Sequence, residues 1–287
     1  EVLPNNPVVV QHKSGHMGVA NSKALELMEI DDNTPDPEGG LIGKTDNKVN
    51  GYLEESAFIN RTQNMREDSP TKTIELINKA EDIYLSYGIT TAQDGLSKEK
   101  EFNLLKEMSN DNKLKLDIVS YIDINEDGNL IKNNKKYLKK YKNNLKIGGY
   151  KLFLDGSPQG KTAWLSTPYE GEKEYRGYAR YTDSEVLNFV KKSLDEDMQL
   201  ITHCNGDAAC EQLISTFEKI NNKENNRPVI IHAQTLQTNQ LPRVKKLGMI
   251  PSYFIAHVYY WGDIHIKNLG SRAYKISPIK STIDNGI

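Results

Sequence analysis

The sequence predicts an α/β fold in which parallel strands and helices alternate to build a (β/α) barrel. Apolar runs rich in β-branched residues, with little polar alternation, read as strands covered on both faces. Helical segments of about 10–15 residues separate them, which is the pattern of βαβ units and a parallel sheet. Three of the runs also carry, at or near their ends, side chains able to bind a metal: Gly149-Tyr-Lys151-Leu-Phe-Leu-Asp155-Gly-Ser157, Ile201-Thr-His203-Cys204-Asn-Gly-Asp207 and Val229-Ile-Ile-His232-Ala-Gln234. In such barrels the functional site lies at the carboxyl ends of the strands.

Along the chain, residues 7–12 form a short β run and 22–28 a helix that Asn21 or Ser22 can cap. Residues 31–50, rich in Asp, Asn, Gly and Pro, read as a loop, and 52–66 as a helical stretch. Ser69-Pro70 opens a long helix to about Tyr87. A strand over 88–95 ends on the carboxylate of Asp94, a helix spans 97–109, and a further strand spans 114–122. The Lys-rich stretch 132–143 reads as a solvated helix face. Then come the Lys151 strand, an irregular insertion over 156–181, a helix over 184–195 and the His203 strand. A helix over 208–219, the His232 strand, a helix over 237–246 and an apolar run from Met249 to His257 complete the pattern, giving six or seven barrel strands.

At 287 residues the chain is long enough for one large α/β barrel or two ordinary domains, and the strand pattern reads as one barrel core over 1–287. An apolar fraction of 37% and a mean hydropathy of −0.64 predict a modest core under a Lys- and Asn-rich surface. With 37 basic against 39 acidic residues the net charge is −2, which supplies no electrostatic ground for binding nucleic acid or anionic membranes. There is no run of about 18 apolar residues to span a bilayer. Cys204 and Cys210 lie six residues apart in one segment, which suggests no disulfide framework and suits a reduced, cytoplasmic setting. The chain opens on Glu1 and stops at Ile287, and both ends are expected to be cuts within a longer protein.

His203 and His232, each directed by the strand it follows, are the strongest metal-binding pair, because neutral imidazole is a common ligand of zinc and similar divalent ions. Taken singly, either also reads as a core or capping histidine. Lys151 has two readings. Burial favours its free amine, which can take up carbon dioxide as a carbamate and offer oxygen ligands; alternatively it snorkels from the rim or pairs with Asp155. Asp207 opens a helix and reads first as its cap. Asp94 and Asp155 are candidates to orient ligands or substrate, or else close turns before Gly95 and Gly156. Cys204 and His203 are adjacent on a strand and face opposite ways, so they do not form a nucleophile–base pair. Ser14-Gly-His16, with Asn21-Ser22, offers groups to grip a substrate, or forms a turn and cap.

These motifs together resemble the amidohydrolase superfamily, in particular the amidohydrolase-3 branch of metal-dependent hydrolases. That branch includes N-substituted formamide deformylase-like proteins and homologues of an exoenzyme regulatory protein. The resemblance runs through Ser14-Gly-His16, Asn21-Ser22-Lys-Ala-Leu, Tyr87-Gly-Ile-Thr-Thr-Ala-Gln-Asp94-Gly and Lys151-Leu-Phe-Leu-Asp155-Gly-Ser157. It continues in Thr162-Ala with Pro168-Tyr, His203-Cys-Asn-Gly-Asp207, His232-Ala-Gln234, and His257 with Tyr260-Trp-Gly-Asp263. It implies a TIM-like barrel with a small β-sandwich, and one or two divalent ions, zinc by default, held by a carboxylated Lys151, His203 and His232. It also implies hydrolysis of an amide or related C–N bond of a small molecule by a metal-activated water. His16, Asp94, Asp155 and His257 are then expected at the substrate.

The family's first strand carries a His-x-His pair that this sequence does not contain, and its last strand carries a metal-binding Asp that manages the proton. The resemblance therefore implies that the first and last barrel strands, the β-sandwich and the catalytic Asp fall outside this chain, and that the fragment alone is inactive. A competing reading is a barrel without chemistry that serves as a binding or regulatory module. A third, a sugar-processing barrel with Asp94 and Asp155 as acid and base, leaves Lys151, His203 and His232 unexplained. Self-association as a homo-oligomer is compatible with any of them.

Overall fold

The structure, a computed structural model, describes residues 3–12, 15–62, 69–126, 128–220 and 226–287. Its N-terminal part is a four-stranded antiparallel sheet. β1 (Val9–Gln11) pairs with β2 (Met17–Ala20), and the hairpin of β3 (Gly40–Thr45) and β4 (Lys48–Glu55) joins it through β4, in the order β1-β2-β4-β3. Between β2 and β3 lies α1 (Ser22–Leu27), and α2 (Ser56–Thr62) follows β4. Asn21 anchors this part. Its Oδ1 accepts from Ala24 N at 3.0 Å and Val8 N at 2.9 Å, and its Nδ2 donates to Leu3 O at 3.0 Å and Asn6 O at 2.8 Å. One amide thus caps the helix and ties down the segment before β1.

This sheet corrects two expectations. Residues 40–50 are not loop but strand, and 52–55 are strand rather than helix; the helix covers only Ser56–Thr62, and 63–66 lie outside the described residues. The reason is the turn Asp46-Asn47, where both residues adopt positive φ (51° and 61°) and Thr45 pairs with Lys48. Two such residues make the tight turn whose twist matches a hairpin. The flanking strands are partly exposed and polar, so they lack the apolar signature of a buried strand.

The remainder builds a six-stranded sheet in which every pairing is parallel and spatial order follows the chain. α3 (Pro70–Ser86), capped by Ser69, precedes β5 (Thr91–Ser97), and α4 (Glu99–Asn110) leads to β6 (Asp117–Asp123). α5 (Asn129–Asn133) precedes β7 (Leu145–Phe153), α6 (Asp183–Asp195) precedes β8 (Gln199–Cys204), and α7 (Asp207–Ile220) precedes β9 (Val229–His232). α8 (Leu241–Lys246), β10 (Ile250–Tyr253), α9 (Ala256–Leu269) and α10 (Ile279–Asp284) follow. The fold is mixed α/β, its parallel sheet curled as a half-barrel with β5 and β10 at the edges. One large apolar core lies between this sheet and its helices, and a smaller one sits under the antiparallel sheet.

Two further placements differ from expectation. The Lys-rich stretch 132–143 is not one helix face: α5 ends at Asn133, a 3-10 turn covers Lys135–Tyr137, and Lys142 bridges to Leu145. Tyr137 causes this by inserting into the core, edge-on to Phe102 at 6.0 Å, with its hydroxyl on Asn110 Oδ1 at 3.0 Å. The last apolar run ends as a strand at Tyr253, and His257 sits in the first turn of α9. Among the described residues no helix is long and apolar enough to cross a membrane.

The Asn21→Ala variant is expected to lower unfolding stability by about 2 kcal/mol, the upper end for a lost helix cap, since chain-tethering bonds go with it. Asn21→Asp retains the acceptor and should recover part of the loss; urea denaturation of the two variants checks this.

Candidate functional site

β7, β8 and β9 lie side by side, and their register decides which side chains meet. Lys151 pairs with Ile201 and Phe153 with His203, so Lys151 and His203 share a face of the sheet. Cys204, on the opposite face, is fully buried in the main core, as expected for a residue adjacent to His203. His232 pairs with Cys204, and a regular strand would turn it away from His203. It does not turn away, because His232 and Ala233 both take positive φ (72° and 46°). That left-handed break, costly for residues bearing a Cβ, swings the imidazole across to His203, and the two ring centres stand 4.7 Å apart, edge to face.

Lys151 is 5% exposed. Among the described residues its Nζ has no hydrogen-bond acceptor or carboxylate partner; it lies over the Phe153 ring at 4.6 Å. Neither the rim position nor the pairing with Asp155 is realised, and burial lowers its pKa to about 8. Burial, reinforced by His232, Lys151 and His16, holds His203 well below the usual imidazole range. Burial, with Lys151, His257 and His16 nearby, pushes His232 down to about 3. Both rings are therefore neutral, the form that ligates metal. His203 Nε2 lies 2.9 Å from Gly156 O and 3.6 Å from Asp155 Oδ1, whereas His232 Nδ1 is buried without a partner among the described residues.

Asp155 organises the loops around these residues. It accepts from the backbone N–H groups of Asn205 at 2.9 Å, Gly206 at 2.6 Å and Trp164 at 3.0 Å, so its two oxygens fasten the β8–α7 turn to the insertion after β7. Burial still raises its pKa to about 7 against those three donors. The turn admits only glycine at Gly206, where an added Cβ would stand 1.8 Å from Trp164 O. Asp207 is the first residue of α7, and its carboxylate turns to other segments instead of capping the helix: it accepts from Ser166 N at 3.0 Å, from Ser166 Oγ and from Gln237 Nε2.

His16, just before β2, comes to the same place from the antiparallel sheet, its ring centre 5.7 Å from His203. Ser14 of the same motif lies outside the described residues. His16 Nδ1 donates to Glu55 Oε2 at 2.9 Å, and Glu55 Oε1 accepts from Thr162 Oγ1 at 2.7 Å. Glu55, fully buried at the end of β4 with φ 50°, is a participant the sequence reading missed. Read as part of a helix, it had no reason to be inside; its signal was the Glu54-Glu55 pair closing an apolar-flanked run. His257 approaches from the far side, 5.9 Å from His232 between ring centres. Asp94 lies apart: it accepts from Ser97 Oγ, burial raises its pKa, and among the described residues it makes no hydrogen bond or ion pair with Lys151, His203 or His232.

The donors thus gathered are two neutral imidazoles and a buried amine without an acceptor, a chemically suitable partial set for a divalent ion. Counting only His, Cys, Asp and Glu, no group of three or more among the described residues is arranged to hold a metal. A separate cleft of about 270 Å³, lined by Leu165, Asp207, Gln237, Leu269 and Arg272 among others, opens beside the β9–α8 loop; Lys151, His203 and His232 do not line it.

Comparison with known proteins places this geometry in a wider set. The model of the amidohydrolase family matches residues 1–287. The N-substituted formamide deformylase of Arthrobacter pascens is 25% identical, over 100% of this chain and 55% of its own length. The protein LONG AFTER FAR-RED 3 of Arabidopsis thaliana is 26% identical, over 100% of this chain and 52% of its own. In fold, an uncharacterized metal-dependent hydrolase from Pyrococcus horikoshii matches 98% of this chain and 55% of its own, with a TM-score of 0.72 at 23% identity. The chain spans about half the length of the curated relatives it matches.

The Asp155→Asn variant keeps the shape but offers one acceptor oxygen where the carboxylate offers two. It is expected to leave a buried N–H unpaired and to cost about 3 kcal/mol of stability, measured by urea unfolding.

Proposed function

This chain belongs to the amidohydrolase family, and we propose that it forms part of a metal-dependent hydrolase acting on an amide or other C–N bond of a small molecule. The observation that carries the reading is the buried Lys151 amine, without an acceptor among the described residues, on the same face of the sheet as His203 and beside the inward-turned His232. The proposed ligands are Lys151, as its carbamate, with His203 and His232, and zinc is the proposed ion. Such an ion, when bound, supplies Lewis acidity and an activated water.

The chain's own residues prepare the place. Burial makes the Lys151 amine easy to deprotonate, which carbamate formation requires, and keeps both imidazoles neutral. Glu55 orients His16, and His16 and His257 are the proposed substrate contacts on opposite sides of the His203–His232 pair. Asp155, with both oxygens on backbone N–H groups, is proposed to act at the substrate through the loops it holds, and Asp94 from within β5. No residue of this chain is assigned the proton-handling carboxylate. The proposed setting is cytoplasmic, with a small-molecule substrate and a homo-oligomer compatible with it.

One observation favours a second reading, a binding or regulatory module: among the described residues no three His, Cys, Asp or Glu side chains are arranged for a metal. The sugar-processing reading loses support, because both oxygens of Asp155 are held by backbone donors.

Metal analysis by inductively coupled plasma mass spectrometry of the full-length protein separates the first two. About one or two equivalents of a zinc-like metal are expected in the wild type and none in a His203→Ala/His232→Ala variant. Absence of metal from the wild type after zinc loading would establish the module instead. Lys151→Ala is expected to abolish metal-dependent hydrolysis of amide or formamide substrates; retained turnover would remove the carbamate from the proposal.

A further inference from the structure

Five of the six histidines of this chain follow one another ring to ring: His16, His203, His232, His257 and His265, with centres 5.7, 4.7, 5.9 and 5.5 Å apart. The last has no part in the reading above. His265 is fully buried on α9, eight residues after His257, across an interruption at Trp261 where φ is −135°.

The two rings are parallel within 3°, and His257 Nδ1 lies 3.3 Å from His265 Nε2. An imidazole nitrogen sits only about one bond length from its ring centre. Nitrogens 3.3 Å apart on rings whose centres are 5.5 Å apart must therefore both lie close to the line joining those centres. Parallel rings that share that line are edge to edge in nearly one plane. This is the geometry of an N–H···N hydrogen bond, not of face-to-face stacking.

Each ring carries at least one proton, since even a neutral imidazole has an N–H on one of its two nitrogens. Only one proton fits between the facing nitrogens. If it belonged to His257, the proton of His265 would sit on its Nδ1, which is buried and has no partner among the described residues. An orphaned N–H is the costlier way to bury that atom, and a bare lone pair is the cheaper one. The proton between the rings is then on His265 Nε2, and His257 accepts at Nδ1.

We infer that His265 is a positioning residue that fixes His257 as the Nε2–H tautomer. His257 is thereby a hydrogen-bond donor at Nε2, suited to a carbonyl or carboxylate oxygen of the substrate rather than to a proton or a metal ion. The tautomer stands on the geometry alone; its use toward substrate rests on the proposed hydrolase reading.

The test uses the full-length protein with nitrogen-labelled histidine and long-range proton–nitrogen correlation spectra, the His257 signals being identified by their loss in His257→Gln. The wild type is expected to show His257 protonated at Nε2 and bare at Nδ1. His265→Gln, whose side-chain amide can donate in place of the ring, should keep that pattern, and His265→Phe should lose it. A proton on Nδ1 of His257 in the wild type overturns the inference without any variant having to fold, as does an unchanged pattern in a folded His265→Phe protein. If the hydrolase reading holds, His265→Phe lowers kcat/KM by about ten- to a hundredfold at unchanged metal content, and His265→Gln restores most of it. Failure of the hydrolase reading would appear separately, as a wild type without metal or turnover whose His257 tautomer is nonetheless Nε2–H.

Discussion

A slip of one residue between β7 and β8 would send His203 to the face that Cys204 occupies and bring a thiol toward Lys151 instead. The register that pairs Phe153 with His203 and Lys151 with Ile201 is therefore the constraint on which the rest of the site depends. It is held by burial on both faces: Leu152, Leu200 and Cys204 pack into the core behind the sheet, so that any slip would drive Lys151 or His203 into apolar surroundings. Only at the end of β9 is the pattern broken, where positive φ at His232 and Ala233 brings the second imidazole to the first.

Buried carboxylates assemble what lies above the strand ends. Asp155 joins the turn after β8 to the insertion after β7, Asp207 joins that insertion to the segment after β9, and Glu55 joins the antiparallel sheet to Thr162 of the insertion. Each is a carboxyl group removed from water, tolerable because donors converge on it. The insertion over 156–181 has almost no regular structure of its own, yet these three anchors give it a defined course.

Other buried polar atoms are left without a partner among the described residues, and some of them lie at the site. His232 Nδ1 and His265 Nδ1, both in the run of histidine rings, have no hydrogen-bond partner among the described residues, and the Lys151 amine has no acceptor there either. Polar atoms left unpaired in a protein interior cost free energy, and structures keep them where they serve a ligand or fix a neighbour's protonation.

The amino-acid order by itself determined the βαβ alternation and the strands that carry Lys151, His203 and His232. The underlying signals are local: apolar β-branched runs, helix caps such as Asn21, Ser69 and Thr182, and the amphipathic stretches between them. The hairpin over 40–55 was hidden, because its strands are polar and partly exposed and its turn, Asp46-Asn47, looks like any loop. Only the tertiary structure decided that His232 turns toward His203, that Glu55 reaches His16 across 39 positions of chain, and that His265 meets His257 in the plane of its ring. Each of these depends on a backbone angle or a long-range approach set by packing, and neither leaves a periodic trace in the order of the residues.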